Sequence, residues 1–223
     1  SLSIIDCVTS IGACNVPVDE WELDIVASGS QKGYMIPPGL SFVSMSEKAW
    51  EASEKSDLPK FYLNLKSYKK SLLNNSNPYT PAVNLIFALD ESLKMMKDEG
   101  LNKIFQKHER HKLAVSEAAK KLNLKLFADA NHLSPSVTAI QIEGIDAEKF
   151  RKTIKNKYDI LLAGGQDHLK GKIFRVGHLG YVNDRDIIAV IAAIGDTLVE
   201  ENLISTEQSG EALKLASNLL KEK

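Results

Sequence analysis

The chain has 223 residues, 43% of them hydrophobic, which is enough to bury a sizeable core in one large domain or one and a half smaller ones. Charged residues make up 26% and the formal net charge is −1, so the charge balance gives no reason to expect nucleic acid or an anionic membrane as a partner. No apolar run approaches the roughly 20 residues that cross a bilayer. The composition therefore predicts a chain with a sizeable buried core.

The two cysteines, Cys7 and Cys14, lie in one early segment. They could form a disulfide, but a reduced cytosolic protein is the favoured interpretation. No pair of cysteines and histidines has the spacing of a zinc site. The chain opens with Ser1 and enters an apolar strand without a cap or leader, so we expect further residues upstream, and the lack of a targeting segment says little about location.

Three short apolar strands are predicted in the first part of the chain, over residues 2–5, 23–27 and 40–43. The first is expected to be buried and ends at Asp6. Ser46 is predicted to cap a short helix that follows the third strand.

Two long helices are predicted next. In residues 80–100, apolar side chains recur every three or four positions; Thr80 suits the N-cap, Pro81 the first helical position and Gly100 the end. Residues 101–122 form a second, heavily charged amphipathic helix.

From about residue 124 short strands alternate with helices, a pattern typical of a compact α+β layer with its own core. The predicted strands cover residues 124–127, 137–142 and 173–176, and the predicted helices residues 146–157, 184–200 and 206–220. The predicted fold class is therefore α/β. Residues 1–99 are expected to be part of an open α/β sheet domain, and residues 100–223 a small α+β domain.

A carboxylate and an amine both follow apolar strands. Asp6 ends the first strand, and Lys32 closes the small polar turn SGSQK (residues 28–32) after the second. Ligands of open α/β sheets gather at the carboxyl ends of strands. Spacing alone also allows an ordinary surface salt bridge, which would contribute little.

Arginine usage indicates an anion site. Only four arginines are present, and Arg175 alone lies among apolar residues on a short predicted strand. A buried arginine needs an anionic partner, and a planar guanidinium binds a carboxylate through two parallel bonds. Arg175 is therefore the candidate for a substrate carboxylate, with an ion pair to a distant acidic residue as the alternative.

Four segments together strongly resemble the class V aminotransferases, and most closely their alanine–glyoxylate and serine–pyruvate branch: residues 6–12 (DCVTSIG), 19–21 (DEW), 28–32 (SGSQK) and 37–40 (PPGL). The resemblance implies the pyridoxal-phosphate (PLP) transferase fold of type I. It implies that Asp6 pairs with the pyridine nitrogen of the cofactor, that Lys32 forms the Schiff base, and that Gln31 contacts the phosphate.

Further positions follow the same resemblance. Residues 171–180 are similar to the family segment that binds the substrate carboxylate through Arg175. Thr80, within the sequence NPYTP, matches a threonine that reaches the cofactor phosphate of the other subunit, which implies a homodimer; an ordinary N-cap is the plainer alternative. Residues 164–166 resemble a loop near the substrate pocket, whereas His168 and His178 are interpreted as structural.

The implied activity is transfer of an amino group from alanine or serine to glyoxylate or pyruvate. A protonated pyridine ring is an electron sink, and a lysine can both hold the aldehyde and carry the proton. The family's phosphate loop and ring-stacking aromatic are absent, so the chain is predicted to be a carboxyl-terminal fragment with weak cofactor binding on its own.

The sequence also bears on other functions. A cysteine desulfurase needs a late cysteine, and none follows Cys14. Kynureninase-like hydrolysis stays open, whereas the intact Asp6, Lys32 and Arg175 argue against a binding module without catalysis. Some relatives are labelled as a soluble hydrogenase subunit, which would make this chain an accessory partner.

Overall fold

A computed structural model describes residues 1–221. These residues form two compact units. The first comprises Ser1–Ile11 and Val16–Asp98; the second comprises Gly12–Asn15 and the described residues from Glu99 onward.

The first unit is a three-stranded sheet followed by helices. The elements are β1 (Ile4–Asp6), β2 (Ile25–Gly29), β3 (Ser41–Met45), α1 (Glu47–Glu54), α2 (Leu65–Leu73) and α3 (Val83–Glu99). The strand order is β1-β2-β3, with β1 parallel to β2 and β3 antiparallel to it. The parallel register pairs Ile4 with Ile25 and Asp6 with Ala27, so both strands end at the same edge of the sheet.

Asp24 ties the opposite ends of these strands together. Its carboxylate accepts hydrogen bonds from the Ser3 amide at 2.9 Å and the Ser46 hydroxyl at 2.9 Å, and pairs with the Lys48 amine at 3.0 Å. The Ser3 amide and the neighbouring Lys48 lower the pKa of Asp24 to about 2. The start of β2 is therefore joined to the start of β1 and to the N-terminus of α1, where Ser46 is the N-cap as predicted.

Two predictions for this unit are wrong. The first strand was expected to be buried, but Ile4 is 71% exposed, because no described helix packs extensively over the faces of β1, from which its side chains project. Thr80 is not an N-cap and Pro81 is not helical. The amide of Val83 bonds the Pro81 carbonyl, so the helical bonds begin one residue later, at the Ala82 carbonyl. The sequence pattern also missed α2.

The second unit is an antiparallel sheet with helices packed around one core. Its elements are α4 (Leu101–Lys121), β4 (Lys125–Leu126), β5 (Val137–Gln141), α5 (Ala147–Tyr158), β6 (Ala163–Gly164), a 3₁₀ turn (Asp167–Leu169), β7 (Ile173–Gly177), α6 (Asp184–Glu200) and α7 (Thr206–Lys221). The strand order is β4-β5-β7-β6. These bounds agree with the predicted helices and longer strands to within one or two residues, whereas β6 was not predicted.

The core of the second unit is apolar and closed. Phe150 of α5 and Phe174 of β7 are both fully buried, with ring centroids 5.2 Å apart. Ile140, Ile187 and Leu198 are each about 1% exposed within the same core cluster. Among the described residues, no helix has both the length and the apolar character that crossing a membrane requires.

Replacing Phe150 with alanine should lower the free energy of unfolding by about 3–5 kcal/mol, because it leaves a cavity beside Phe174. Urea denaturation followed by circular dichroism measures this change. Phe127, which is 46% exposed, is the matched control, and Phe127→Ala should cost about 1 kcal/mol or less. Equal losses in the two variants would contradict the assigned core.

Two buried histidines fasten the segment that follows β7. His108 of α4 donates through Nδ1 to the Ile104 carbonyl at 2.8 Å, and its Nε2 accepts the Gly180 amide at 3.1 Å. His178 donates through Nδ1 to the Pro135 carbonyl at 3.0 Å, and its Nε2 accepts the Thr138 hydroxyl at 2.9 Å. Both rings are thus held in the neutral form, and the structural interpretation of His178 agrees with these contacts.

Burial lowers the pKa of both His108 and His178 to about 4, while their unfolded value is near 6.5. Between these values the unfolded chain binds more protons, so the stabilisation is complete above pH 6.5 and falls as the pH drops toward 4. The expected slope is about 1.4 kcal/mol per pH unit for each histidine.

Urea midpoints at pH 7.5 and 5.0 measure this effect in the wild type, in His178→Asn and in His132→Asn. His178→Asn should reduce the difference between the two pH values, whereas His132, with a side chain 82% exposed, should leave it unchanged. An unfolding free energy that is the same at both pH values would contradict the neutral, buried assignment.

Candidate functional site

Asp6 and Lys32 both lie beyond the carboxyl ends of two neighbouring parallel strands. Asp6 is the last residue of β1, and Lys32 follows β2 by three residues, in a turn that runs to Tyr34. Parallel strands deliver such residues to one edge of the sheet, which is where open α/β sheets bind ligands. The register of β1 on β2 is therefore what places the acid and the amine on the same side.

The Asp6 carboxylate and the Lys32 amine do not bind each other. The Asp6 Oδ1 atom accepts the Val8 amide at 2.9 Å, which turns the chain away after the strand. Within residues 1–221 no hydrogen bond or ion pair engages the Lys32 amine, and the salt bridge considered as the plain alternative is not formed. The second oxygen of Asp6 and the amine of Lys32 are thus open to a ligand.

Ser30 closes the base of the turn that carries Lys32. Its buried hydroxyl donates to the Pro37 carbonyl at 2.8 Å and accepts the Leu40 amide at 3.1 Å. Its own amide donates to the Leu40 carbonyl at 3.0 Å. In the sequence, Ser30 stands out only as a member of the SGSQK motif. A small hydroxyl residue at the exit of a strand is the signal that could have identified it.

Gln31 is exposed, and its Oε1 lies 3.1 Å from where a Cβ on Gly29 would stand. Gly29 and Gly33, two residues before and two residues after Gln31, are both buried. Thr80 is exposed, and no hydrogen bond involving it is present in residues 1–221. Its predicted phosphate role stays a prediction, without the support that a helix N-terminus would have given.

Arg175 lies on β7 in the second unit and is partly buried. Its two neighbours in sequence, Phe174 and Val176, are almost completely buried. Its Nε donates to the Gly164 carbonyl at 2.9 Å. No acidic side chain of the described chain pairs with Arg175, so the distant ion pair considered as an alternative is not seen. The two terminal nitrogens form a free fork of donors that matches a carboxylate.

Within the described residues, no cluster of three or more histidine, cysteine or acidic side chains could hold a metal ion. Cys7 and Cys14 are not joined by a disulfide.

The fold and these motifs agree with the comparisons. Residues 1–179 match the family described as Aminotransferase class-V, and the chain belongs to this family. The crystal structure of ureidoglycine–glyoxylate aminotransferase from Bacillus subtilis superimposes with a TM-score of 0.91 and 30% identity, over 100% of this chain and 58% of that one. The predicted PLP-dependent transferase fold of type I is therefore confirmed.

Two curated relatives illustrate the range of names in the family. The small subunit of soluble hydrogenase from Synechococcus sp. is 56% identical over 90% of this chain and 52% of its own length. L-aspartate–glyoxylate aminotransferase from Paracoccus denitrificans is 39% identical over 86% of this chain and 49% of its own length. The chain spans about half the length of the curated relatives it matches.

Replacing Ser30 with alanine should lower the free energy of unfolding by about 1–3 kcal/mol, because a carbonyl and an amide lose their partner. Hydrogen exchange of the Leu40 amide should also accelerate. Ser44, exposed on β3, is the matched control, and Ser44→Ala should leave both quantities unchanged. Unaltered Leu40 exchange in Ser30→Ala would show that the turn is held by other contacts.

Proposed function

We propose that the chain is the carboxyl-terminal part of a PLP-dependent aminotransferase that moves an amino group from a small amino acid to a 2-oxo acid. The observation that carries this proposal is the parallel register of β1 on β2. It brings the open oxygen of Asp6 and the unpaired amine of Lys32 to the same edge of one sheet.

The residues present fit the cofactor. A pyridine nitrogen needs an acceptor for its proton, and Asp6 has a carboxylate oxygen without a partner in the described chain. An aldehyde needs a free amine on a fixed support, and Lys32 lies in a turn closed by Ser30. When bound, PLP supplies an electron sink for the charge that develops at the substrate's α-carbon.

Each predicted residue has one role in this proposal. Lys32 holds the cofactor through its amine and, once released, moves the proton at the α-carbon. Asp6 keeps the ring nitrogen protonated. Arg175 binds the substrate carboxylate, while Gln31 contacts the phosphate and Thr80 does so from the other subunit of a homodimer.

The acceptor is proposed to be glyoxylate, since both aminotransferases described above carry glyoxylate in their names while their donors differ. A small 2-oxo acid such as glyoxylate or pyruvate also presents the planar carboxylate that the Arg175 fork can bind. Alanine or serine is proposed as the donor. A panel of amino acids tested against glyoxylate and pyruvate with the full-length parent protein decides among these substrates.

Lys32 should be the residue that PLP modifies. After incubation with PLP and reduction with borohydride, peptide mass spectrometry should find the adduct on Lys32 in the wild type and lose it in Lys32→Ala. Lys97→Ala, at an exposed position of α3, should keep the adduct. The assignment fails if the adduct on other lysines is equally abundant, or if Lys32→Ala leaves the total incorporation unchanged.

A second candidate function rests on the 56% identity to a chain named as a soluble hydrogenase subunit. On that hypothesis this chain is an accessory subunit of a metal-containing assembly. Metal analysis of the protein purified with its native partners separates the two. Stoichiometric nickel or iron together with no PLP incorporation would favour the hydrogenase assembly.

A further inference from the structure

The guanidinium of Arg175 is oriented by one of the shortest strands of its sheet. Strand β6 consists of Ala163 and Gly164 and lies at the sheet edge, paired only with β7. Its register places Ala163 opposite Arg175 and Gly164 opposite Phe174. The Gly164 carbonyl accepts the Nε–H of Arg175 at 2.9 Å, so the position of this edge strand sets the plane of the guanidinium.

A strand of two residues makes few contacts of its own, and contacts with α5 hold β6 in addition. Arg151 of α5 donates through Nε to the Leu162 carbonyl at 2.8 Å, directly before β6. Its Nη1 donates to Glu148 Oε2 at 2.7 Å, one helical turn away. The guanidinium of Arg151 is therefore held between the helix and the beginning of the edge strand.

Gly164 is in close contact with this pair. A Cβ on Gly164 would stand 2.5 Å from Arg151 Nη1, 3.0 Å from Arg151 Cζ and 2.6 Å from Glu148 Oε1. Distances this short mean that the flat guanidinium and the carboxylate occupy the space of a side chain. A side chain at position 164 would therefore have to displace Arg151 or Glu148 from the backbone that bonds Arg175.

We propose that Arg151 is a positioning residue for Arg175: it fixes β6, so that the Gly164 carbonyl holds the Arg175 Nε and leaves the two terminal nitrogens directed at a carboxylate. This inference rests on the proposed function, in which Arg175 binds the substrate. It assigns a role in substrate affinity to Arg151, which lies in the helix predicted over residues 146–157.

A solvent-side ion pair between residues three apart on a helix would contribute only tenths of a kcal/mol and nothing to binding. Three features set this pair apart: the bond from Nε to a carbonyl outside the helix, the lack of space at Gly164, and the direct bond from Gly164 to Arg175. Lysine at position 151 keeps the charge but has no Nε–H fork, so Arg151→Lys should not restore the function.

Nitrogen-15 NMR of arginine side chains in the intact chain tests the proposal, since only four Nε–H signals are expected. Titration with acetate should shift the Arg175 signal, and the apparent Kd is the readout. Arg151→Ala and Arg151→Lys should each raise this Kd about tenfold, the change expected when one hydrogen bond to a charged group is lost. The Arg175 Nε–H should also exchange faster with solvent. Arg185→Lys, at an exposed position, is the control and should change neither quantity.

The Gly164 contact gives a second, independent measurement. Gly164→Ala should raise the acetate Kd in the wild type, because the new methyl group displaces the Arg151 guanidinium. In the Arg151→Ala background the same change should have less than half that effect, since the space is then free. This coupling is not expected if Arg151 serves only the stability of α5.

The outcomes separate the inference from the function on which it rests. If acetate shifts the Arg175 signal saturably while both Arg151 variants retain the wild-type Kd and exchange rate, the positioning role is wrong and the Arg175 assignment stands. If acetate shifts the Arg175 signal no more than the signal of the exposed Arg185, the substrate role of Arg175 is wrong, and the inference falls with it.

Discussion

The parallel ladder between β1 and β2 is the constraint on which the proposed chemistry depends. A shift of one residue in this register would turn Asp6 to the other face of the sheet, because successive strand side chains alternate. The register is held at the opposite end by the Asp24 carboxylate, which joins the beginnings of β1, β2 and α1. A buried structural acid at one end thus fixes where the functional acid emerges at the other.

Each unit contributes a different kind of recognition. The first offers an open amine and an open carboxylate oxygen, which suit an aromatic aldehyde with a basic ring nitrogen. The second offers an arginine whose Nε is already bonded and whose remaining donors face no acid of the described chain. In both units a backbone carbonyl or a small hydroxyl holds the functional group in place: Ser30 beneath Lys32, and Gly164 beside Arg175. Support of this kind fixes the orientation of a side chain before a ligand arrives.

The sequence predicted the long helices and most strands because their apolar periodicity is strong, and α4, α6 and α7 begin where expected. It placed the beginning of α3 too early, because Pro81 suits a first helical turn by composition, yet its carbonyl is taken by Val83 in a tight turn. Strand β6 could not be predicted from the sequence, because two residues are too few to show the alternation of apolar and polar side chains that identifies a strand. Burial of β1 was misjudged because an apolar strand looks the same in sequence whether or not another layer packs over its faces.

For the site, sequence located Asp6, Lys32 and Arg175 through motifs and through an arginine in an apolar strand. The supporting residues could not be found in this way. Ser30 and Arg151 each donate to a backbone carbonyl in the loop that follows them, and such contacts depend on the path of that loop rather than on residue pattern. The buried His108 likewise lies among charged residues, a pattern typical of a helix face exposed to solvent. Its contact with the Gly180 amide becomes evident only in the folded chain.

The most direct test of the central claim is the protonation state of the bound ring nitrogen, measured by NMR on PLP labelled with nitrogen-15 in its ring. With cofactor bound in both proteins, the ring nitrogen should show the chemical shift of a protonated pyridine in the wild type and of a neutral pyridine in Asp6→Asn. The same shift in both proteins would show that Asp6 does not face the ring that Lys32 holds.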